Sequence, residues 1–322
     1  MTPTFPSLLS VLAGGAGAVI LLTFVIGRFR DPATVGWRIG VLGLPRAGKT
    51  SLIGALSAVL KTSRINRRVQ PTGQETIRRL GNIEQALDEG KSIAPTEKGD
   101  KFSYRFLLTP RGLLRWLGVL RELEVADFPG EFSKELIESS DDDCCIARGK
   151  IFLLDPQYLD WMVSSRLIIF VVDASELQGP DAHIAKARRS AEVIATWQML
   201  ADERARRWRH ASKMRAALVF TKCDMILTNY NPSNKHREIG DEERARIDKF
   251  AKICRESFAS AITTLEDGAQ EASIHFTSAY AECRGQRIGM AELLRYVLPG
   301  DSVRKPGRFA GLWRWRRGRK RA

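Results

Sequence analysis

The stretch RIGVLGLPRAGKTSLIGALSAVL, Arg38 to Leu60, decides how the rest of the chain is read. Arg38 to Leu42 form a short, mostly apolar run suited to a buried strand. Ser51 to Leu60 form an Ala- and Leu-rich run with no breaker until after Lys61, the pattern of a helix. Between them GLPRAGKT, Gly43 to Thr50, matches G-x-x-x-x-G-K-[ST] at a strand-to-helix turn. Glycine at 43 and 48 lets the backbone come close to a bound group. The amides of Arg46, Ala47, Gly48, Lys49 and Thr50 then point at a phosphate, as does the positive end of the helix. Lys49 is expected to reach the β and γ oxygens, Thr50 to offer its hydroxyl to Mg²⁺, and Ser51 to complete the contact. A chance glycine-rich turn would lack the flanking strand, the helix and the Lys-Thr pair.

Three further motifs follow, each at the end of an apolar strand. The strand Leu120 to Ala126 delivers DFPG, Asp127 to Gly130, in which Asp127 is expected to hold Mg²⁺ through water and the Gly130 amide to sense a γ-phosphate. The strand Ala216 to Phe220 delivers TKCD, Thr221 to Asp224. A carboxylate at Asp224 accepts from guanine N1 and N2, while the stem of Lys222 lies over the base. Adenine lacks that donor pair, so ATP would leave the carboxylate unpaired. The strand Ser273 to Phe276 delivers Thr277, Ser278 and Ala279, which resemble the S-A-x loop whose backbone amide contacts guanine O6, before a last helix at Met290 to Leu298. An ATP-binding reading requires TKCD to be accidental. Between the first two motifs LIIFVVDAS, Leu167 to Ser175, reads as the central parallel strand. Asp173 at its end reads as a capping or loop residue in preference to a second metal carboxylate.

The formal net charge is +14, and nine basic residues with no acidic one fall between Arg304 and Arg321. Outside that run the chain is only mildly basic, so its charge says little about the main domain. Mixed with Trp313 and Trp315, the tail suits an anionic bilayer surface; RNA is the competing partner. At the other end Ser7 to Gly27 is 21 residues without a charge, which at helical rise covers roughly 30 Å of hydrocarbon. Met1 to Pro6 has no Lys or Arg, against a cleavable signal peptide. Arg28 and Arg30 follow, so the positive-inside rule puts everything after them in the cytoplasm. The expected organisation is a transmembrane anchor at 1–30, a nucleotide-binding domain at 31–300 with a helical insertion at about 62–94, and a basic tail at 301–322. The implied location is the inner (plasma) membrane, single-pass. Five cysteines without a ligand-like spacing argue against a disulfide framework or a zinc ribbon. Adjacent Cys144 and Cys145 after Asp141 to Asp143 read as a solvated acidic loop. Trp197 and Trp208 read as packing indoles, and the charged run Arg204 to His210 as a solvated face.

The four motifs, in this order, resemble the Ras-like, translation-factor-related class of P-loop GTPases. Within it, KSIAPT followed by FSYRFLL, with the hairpin returning through ELEVADFPGE, resembles the bacterial double-GTPase families. The resemblance implies an α/β fold: a mostly parallel six-stranded sheet with one antiparallel strand and helices on both faces. It also implies GTP and GDP as ligands, Mg²⁺ as cofactor, and a protein effector or partner GTPase. It makes Thr96 the switch threonine that closes on Mg²⁺ and the γ-phosphate. Two departures stand out. The gap from Thr50 to Thr96 is long, with Gln74 to Asp88 helical in pattern and Arg64, Arg67, Arg68, Arg78 and Arg79 clustered, a basic face that reads as solvated. Glu131 stands where many relatives carry a water-orienting glutamine, and its charge near the phosphates implies slow or partner-stimulated hydrolysis, with Lys49 stabilising charge. The alternative function is a GTP-stabilised membrane receptor module without turnover, similar to the β subunit of the signal-recognition-particle receptor.

Overall fold

The computed structural model describes residues 37–62, 67–91, 93–94, 102–110, 121–134, 156–208, 213–227, 239–283 and 285–298. The elements in chain order are β1 (Trp37–Leu42), α1 (Lys49–Thr62), β2 (Arg67–Thr72), α2 (Gln74–Asp88), β3 (Phe102–Pro110), β4 (Arg121–Asp127), α3 (Pro156–Ser164), β5 (Leu167–Asp173), α4 (Ala182–Arg207), β6 (Arg215–Thr221), α5 (Asp241–Ser257), α6 (Ala259–Gly268), β7 (Ala272–Phe276), β8 (Glu282–Cys283), β9 (Gln286–Arg287) and α7 (Met290–Val297). The main sheet has the order β2-β3-β4-β1-β5-β6-β7, and β8 and β9 form a separate small hairpin.

β1 pairs in parallel with β4 and β5, and the parallel ladder continues through β6 to β7. β3 runs antiparallel to both β4 and β2, so one strand opposes the rest, as expected. The strand count differs from expectation: seven, not six. The addition is β2, RRVQPT, which falls inside the stretch read as helical. Its polar composition and Pro71 suit only a sheet edge, where a missing amide breaks no ladder, and β2 is the edge strand. The rest of the insertion is α2, with the bounds its periodicity indicates. Thr76, Leu80, Ile83 and Leu87 are its buried residues, spaced by four, three and four along one helical face.

β5 and β6 are buried at all seven positions each, because helices cover both faces of the sheet. Along β5 the two faces alternate. Leu167, Ile169 and Val171 join a core with α1, α2 and α7, while Ile168, Phe170 and Val172 join a core with α3, α4, α5 and α6. Trp197 of α4 is buried in the second core, edge-on to Phe170 at 6.4 Å. Trp208 does not pack in that way: it follows the end of α4 and is 43% exposed. Nor is the run beginning at Arg204 simply solvated, since Arg204 donates to the carbonyls of Val163 and Ser165.

The expected membrane span, the basic tail, Thr96, Arg64 and the Cys144-Cys145 pair all lie outside the described residues. Among the described residues no helix is long and apolar enough to cross a membrane. Cys223, Cys254 and Cys283 are free thiols.

The insertion is seated on α1 through Gly54, where an added Cβ would lie 2.2 Å from Ile83 Cγ2 and 3.3 Å from Ile83 Cβ. Alanine in mid-helix would ordinarily stabilise by about 1 kcal/mol. Here overpacking against a β-branched side chain, worth roughly 1–3 kcal/mol, reverses the sign. Gly54→Ala is therefore expected to lower the thermal midpoint, checked by calorimetry of the full chain.

Candidate functional site

The loop between β1 and α1 turns at the C-terminal end of the parallel strands. Arg46 (φ 64) and Gly48 (φ 84) are both left-handed; the first is a strained choice for a residue with a side chain. A Cβ on Gly43 would lie 2.9 Å from the Val171 carbonyl oxygen, so β5 requires glycine there. Lys49 is buried, and its ammonium donates to the carbonyls of Gly43 at 2.8 Å and Leu44 at 3.1 Å. Burial pushes its pKa down to about 8, against the opposing pull of Asp127 and Glu131.

The loop after β4 closes on this one. Thr50 Oγ1 donates to both oxygens of Asp127, at 3.3 and 3.1 Å. Tyr104 of β3, buried, reaches the same carboxylate at 3.5 Å. A Cβ on Gly130 would lie 2.4 Å from the Pro45 backbone, so the glycine of DFPG rests directly against the phosphate loop. Three residues on, buried Ser133 accepts from the Gly43 amide at 3.3 Å and shares a hydrogen bond with Tyr158. Glu131 is exposed.

The base-reading loops are tied to the same structure. Thr221 Oγ1 donates to the Ala47 carbonyl at 2.7 Å. Lys222 is left-handed (φ 56), and its ammonium meets Asp173 Oδ2 at 2.5 Å. Asp173 also accepts from the Ser175 amide and hydroxyl, so the capping role read from sequence holds and positioning Lys222 is added to it. Asp224 is buried. Burial raises its pKa, opposed by the hydrogen bond from Ser278 Oγ at 2.5 Å. Ser278 Oγ in turn accepts from the amides of Tyr280 and Ala281. Ala279 packs against the core that α1 and α7 share. Tyr280 donates its hydroxyl to the Lys91 carbonyl at 3.1 Å and lies within hydrogen-bonding reach of Ser51.

The fold thus gathers Gly43, Arg46, Ala47, Gly48, Lys49, Thr50, Ser51, Asp127, Gly130, Thr221, Lys222, Asp224, Ser278 and Ala279 at one end of the sheet, with Glu131 beside them. Asp173, Tyr104, Ser133 and Tyr280 belong to the same network. Sequence reasoning gave Asp173 only a local role and gave the other three none, because each acts across a long sequence separation and matches no motif. The donor set suits Mg²⁺: a hydroxyl and a carboxylate side by side, the remaining positions being left to phosphate and water. Among the described residues no group of three or more His, Cys, Asp or Glu converges.

A phosphate loop, a D-x-x-G loop resting on it, and a buried carboxylate after β6 define a P-loop GTPase domain. The Double-GTPase 2 family model matches residues 38–295, and the chain belongs to that family. No curated protein matches the chain. Among solved structures it is similar to the bacterial dynamin GTPase LeoA from ETEC, at 16% identity and TM-score 0.37, over 81% of this chain and 35% of that one. This chain therefore spans about a third of LeoA. It is also similar to the signal recognition particle receptor SRb-GTP/SRX complex from Chaetomium thermophilum, at 11% identity and TM-score 0.40, over 80% of this chain and 98% of that one.

Two outcomes follow from this geometry. Asp224→Asn replaces an acceptor by a group that can donate, so GTP affinity should fall by at least about a hundredfold while xanthosine triphosphate, with a carbonyl at C2, gains; competition binding with both nucleotides checks it. For Lys49, the charged form needed by a phosphate is lost above about pH 8. GTP affinity should therefore weaken as pH rises through 8, and the dependence should be absent in Lys49→Met. Folding linkage has the opposite sign. Between about 8 and the ordinary 10.5 the unfolded chain holds a proton that the folded chain has released, so Lys49's unfavourable contribution to stability is relieved as pH rises.

Proposed function

We propose that the protein is a membrane-tethered GTP-dependent switch with slow or partner-stimulated hydrolysis, its nucleotide domain on the cytoplasmic side. The observation that carries the guanine-dependent part is the Thr221 bond to the Ala47 carbonyl at 2.7 Å. It makes the base-reading and phosphate-holding loops one mechanical unit, so guanine identity and phosphate state are read together. The uncharged stretch Ser7 to Gly27 followed by Arg28 and Arg30 supports the tether and its orientation. The Arg/Trp tail supports an added contact with anionic lipid ahead of one with RNA.

In this reading Thr50 and Asp127, with Thr96 from the segment before β3, would hold Mg²⁺, which would supply positive charge to the phosphates. Lys49 leaves the Gly43 and Leu44 carbonyls for phosphate oxygens and brings its positive charge to the spreading negative charge of the transition state. Gly130, packed on Pro45, moves with the γ-phosphate, and its displacement carries the state of the nucleotide to Ser133 and Tyr158. Glu131 accepts from the attacking water, and its own negative charge keeps the intrinsic rate low until a partner offsets it.

Labelled GTP binding to the full chain in detergent with Mg²⁺, competed by GTP, GDP and ATP, tests the ligand. Guanine nucleotides should compete and ATP should not. For the chemistry, Glu131→Ala is expected to reduce single-turnover hydrolysis by roughly a hundredfold with GTP affinity kept. An unchanged rate would give water positioning to another group, and no turnover in the parent chain under any condition would favour a receptor module held folded by GTP.

A further inference from the structure

The end of the sheet opposite the phosphate loop carries an arrangement for which nucleotide chemistry has no use. β2 opens on Arg67 and Arg68, β4 on Arg121 and β6 on Arg215; Arg38 is the second residue of β1, and Arg166 immediately precedes β5. On the first two of the central strands Arg38 and Arg166 fall side by side, while Arg215 lies one residue further along, opposite Leu167. The Arg166 amide donates to the Arg38 carbonyl at 2.9 Å, and the Arg215 amide to the Arg166 carbonyl at 2.8 Å. Neighbouring strands lie about 5 Å apart, so Arg38 and Arg166 stand as neighbours at this end of the sheet, with Arg215 one step along. Arg204, at the end of α4, stands near enough to Arg166 to feel its charge.

Like charges at that spacing oppose one another. Some of the repulsion is offset internally: Arg38 meets Glu124 at 3.2 Å, Arg215 meets Glu271 at 3.1 Å, and Glu203 serves Arg206 and Arg207. Arg166 is exposed and has no carboxylate partner among the described residues. Indoles lie beside the guanidiniums. Arg166 and Arg215 sit over Trp37 at 5.4 and 5.9 Å, Arg38 over Trp161 at 5.1 Å, and Arg204 over Trp208 at 5.8 Å. Among the described residues the buried Trp37 indole N–H has no acceptor. Arginine with tryptophan is the composition of a headgroup-level surface, where the ring stays half-apolar and the cation meets phosphate.

Both ends of the domain leave from this edge. Nine residues separate Gly27 from Trp37, a reach of about 30 Å at most. Arg215 donates to the Tyr296 carbonyl at 2.6 Å, which brings the last turn of α7, after which the basic tail follows in sequence, to the same side. We propose that the end of the sheet carrying Arg38, Arg166 and Arg204 with Trp208, backed by the buried Arg215 and the partly buried Trp37 and Trp161, docks on the phosphate headgroups of an anionic bilayer. The nucleotide loops then stand away from the membrane by the length of the strands, about 20 Å for seven residues. The proposal rests on the tethered reading above, since a tether makes headgroups the most concentrated anions within reach.

The test uses the full chain with vesicles of phosphatidylcholine alone or mixed with phosphatidylglycerol, an arginine-directed dicarbonyl reagent, and mass spectrometry of each site. Arg166 and Arg38 should react at least about fivefold more slowly on the anionic vesicles, the effect of roughly one basic residue at such a surface. Arg188, 72% exposed near the opposite end of α4, should react equally on both. Protection should persist in a chain ending at residue 300, and Arg166→Gln should weaken protection of Arg38 with GTP binding unchanged. Equal rates on both vesicles, protection lost with the tail, or protection conferred only by an RNA oligonucleotide would overturn the docking face. Alkaline extraction reads the tether separately. Release of the chain with Arg166 still protected sinks the tether and keeps the face, whereas retention with equal rates keeps the tether and sinks the face.

Discussion

The hydroxyl of Thr221 holds the site together. Buried at the end of β6, it donates to the carbonyl of Ala47 in the phosphate loop and lies 3.2 Å from the Val172 carbonyl of β5. One side chain therefore fixes the relative height of three segments that the chain visits far apart in sequence. A hydroxyl that bridges buried carbonyls cannot be replaced by an apolar group without leaving those acceptors unsatisfied. Everything the site does needs that register: Gly48 beside Thr221, Lys222 reaching Asp173, and Asp224 held by Ser278 from the next strand. The fully buried ladder of β5 and β6 beneath it makes the register stiff, because neither strand can slip without turning core residues toward the wrong face.

What the sequence made legible were features with a local period or a local motif. The phosphate loop, the D-x-x-G and TKCD turns, the central strands and the bounds of α2 each follow from a few adjacent residues. The strand β2 was not legible because RRVQPT has neither alternation nor β-rich composition. It is a strand only because β3 offers a free edge, a tertiary cause that overrides propensity. Trp208 shows the same limit in reverse: an indole near a helical pattern reads as core, yet where α4 ends decides its exposure. Tyr104, Ser133 and Tyr280 were missed because their partners lie across the fold, at Asp127, Gly43 and Lys91. Thr96, on which the switch reading leans most, falls in a stretch the structure does not describe, so its role rests on sequence alone.

Local rules are broken at the two ends of the sheet and kept between them. At the C-terminal ends Arg46 and Lys222 take left-handed conformations that residues with a side chain rarely adopt, Lys49 is buried against its charge, and the Asp224 carboxyl is pushed up by desolvation. At the N-terminal ends arginines stand in adjacent positions across strands. Each departure costs on the order of 1 kcal/mol or more. A chain selected for stability alone would discard them, so their concentration at the ends, with a consistent apolar sheet in between, points to ligands outside the core.

The two ends differ in how their strain is compensated, and the difference bears on what each binds. At the nucleotide end the compensation is internal and dense: Lys49, Thr50, Asp173, Thr221, Lys222 and Asp224 already have partners within the fold, so a ligand must exchange one set of hydrogen bonds for another. Such a site selects by geometry and can hold two states of similar energy, which a switch requires. At the arginine end the compensation is partial and spread out, with Arg166 lacking a carboxylate and the Trp37 N–H lacking an acceptor among the described residues. An array of that kind fits a broad anionic surface of adjustable spacing better than one small molecule of fixed shape. The parallel core between them keeps the two ends separate, so the proposed lipid contact at one end would orient the domain without entering the nucleotide site at the other.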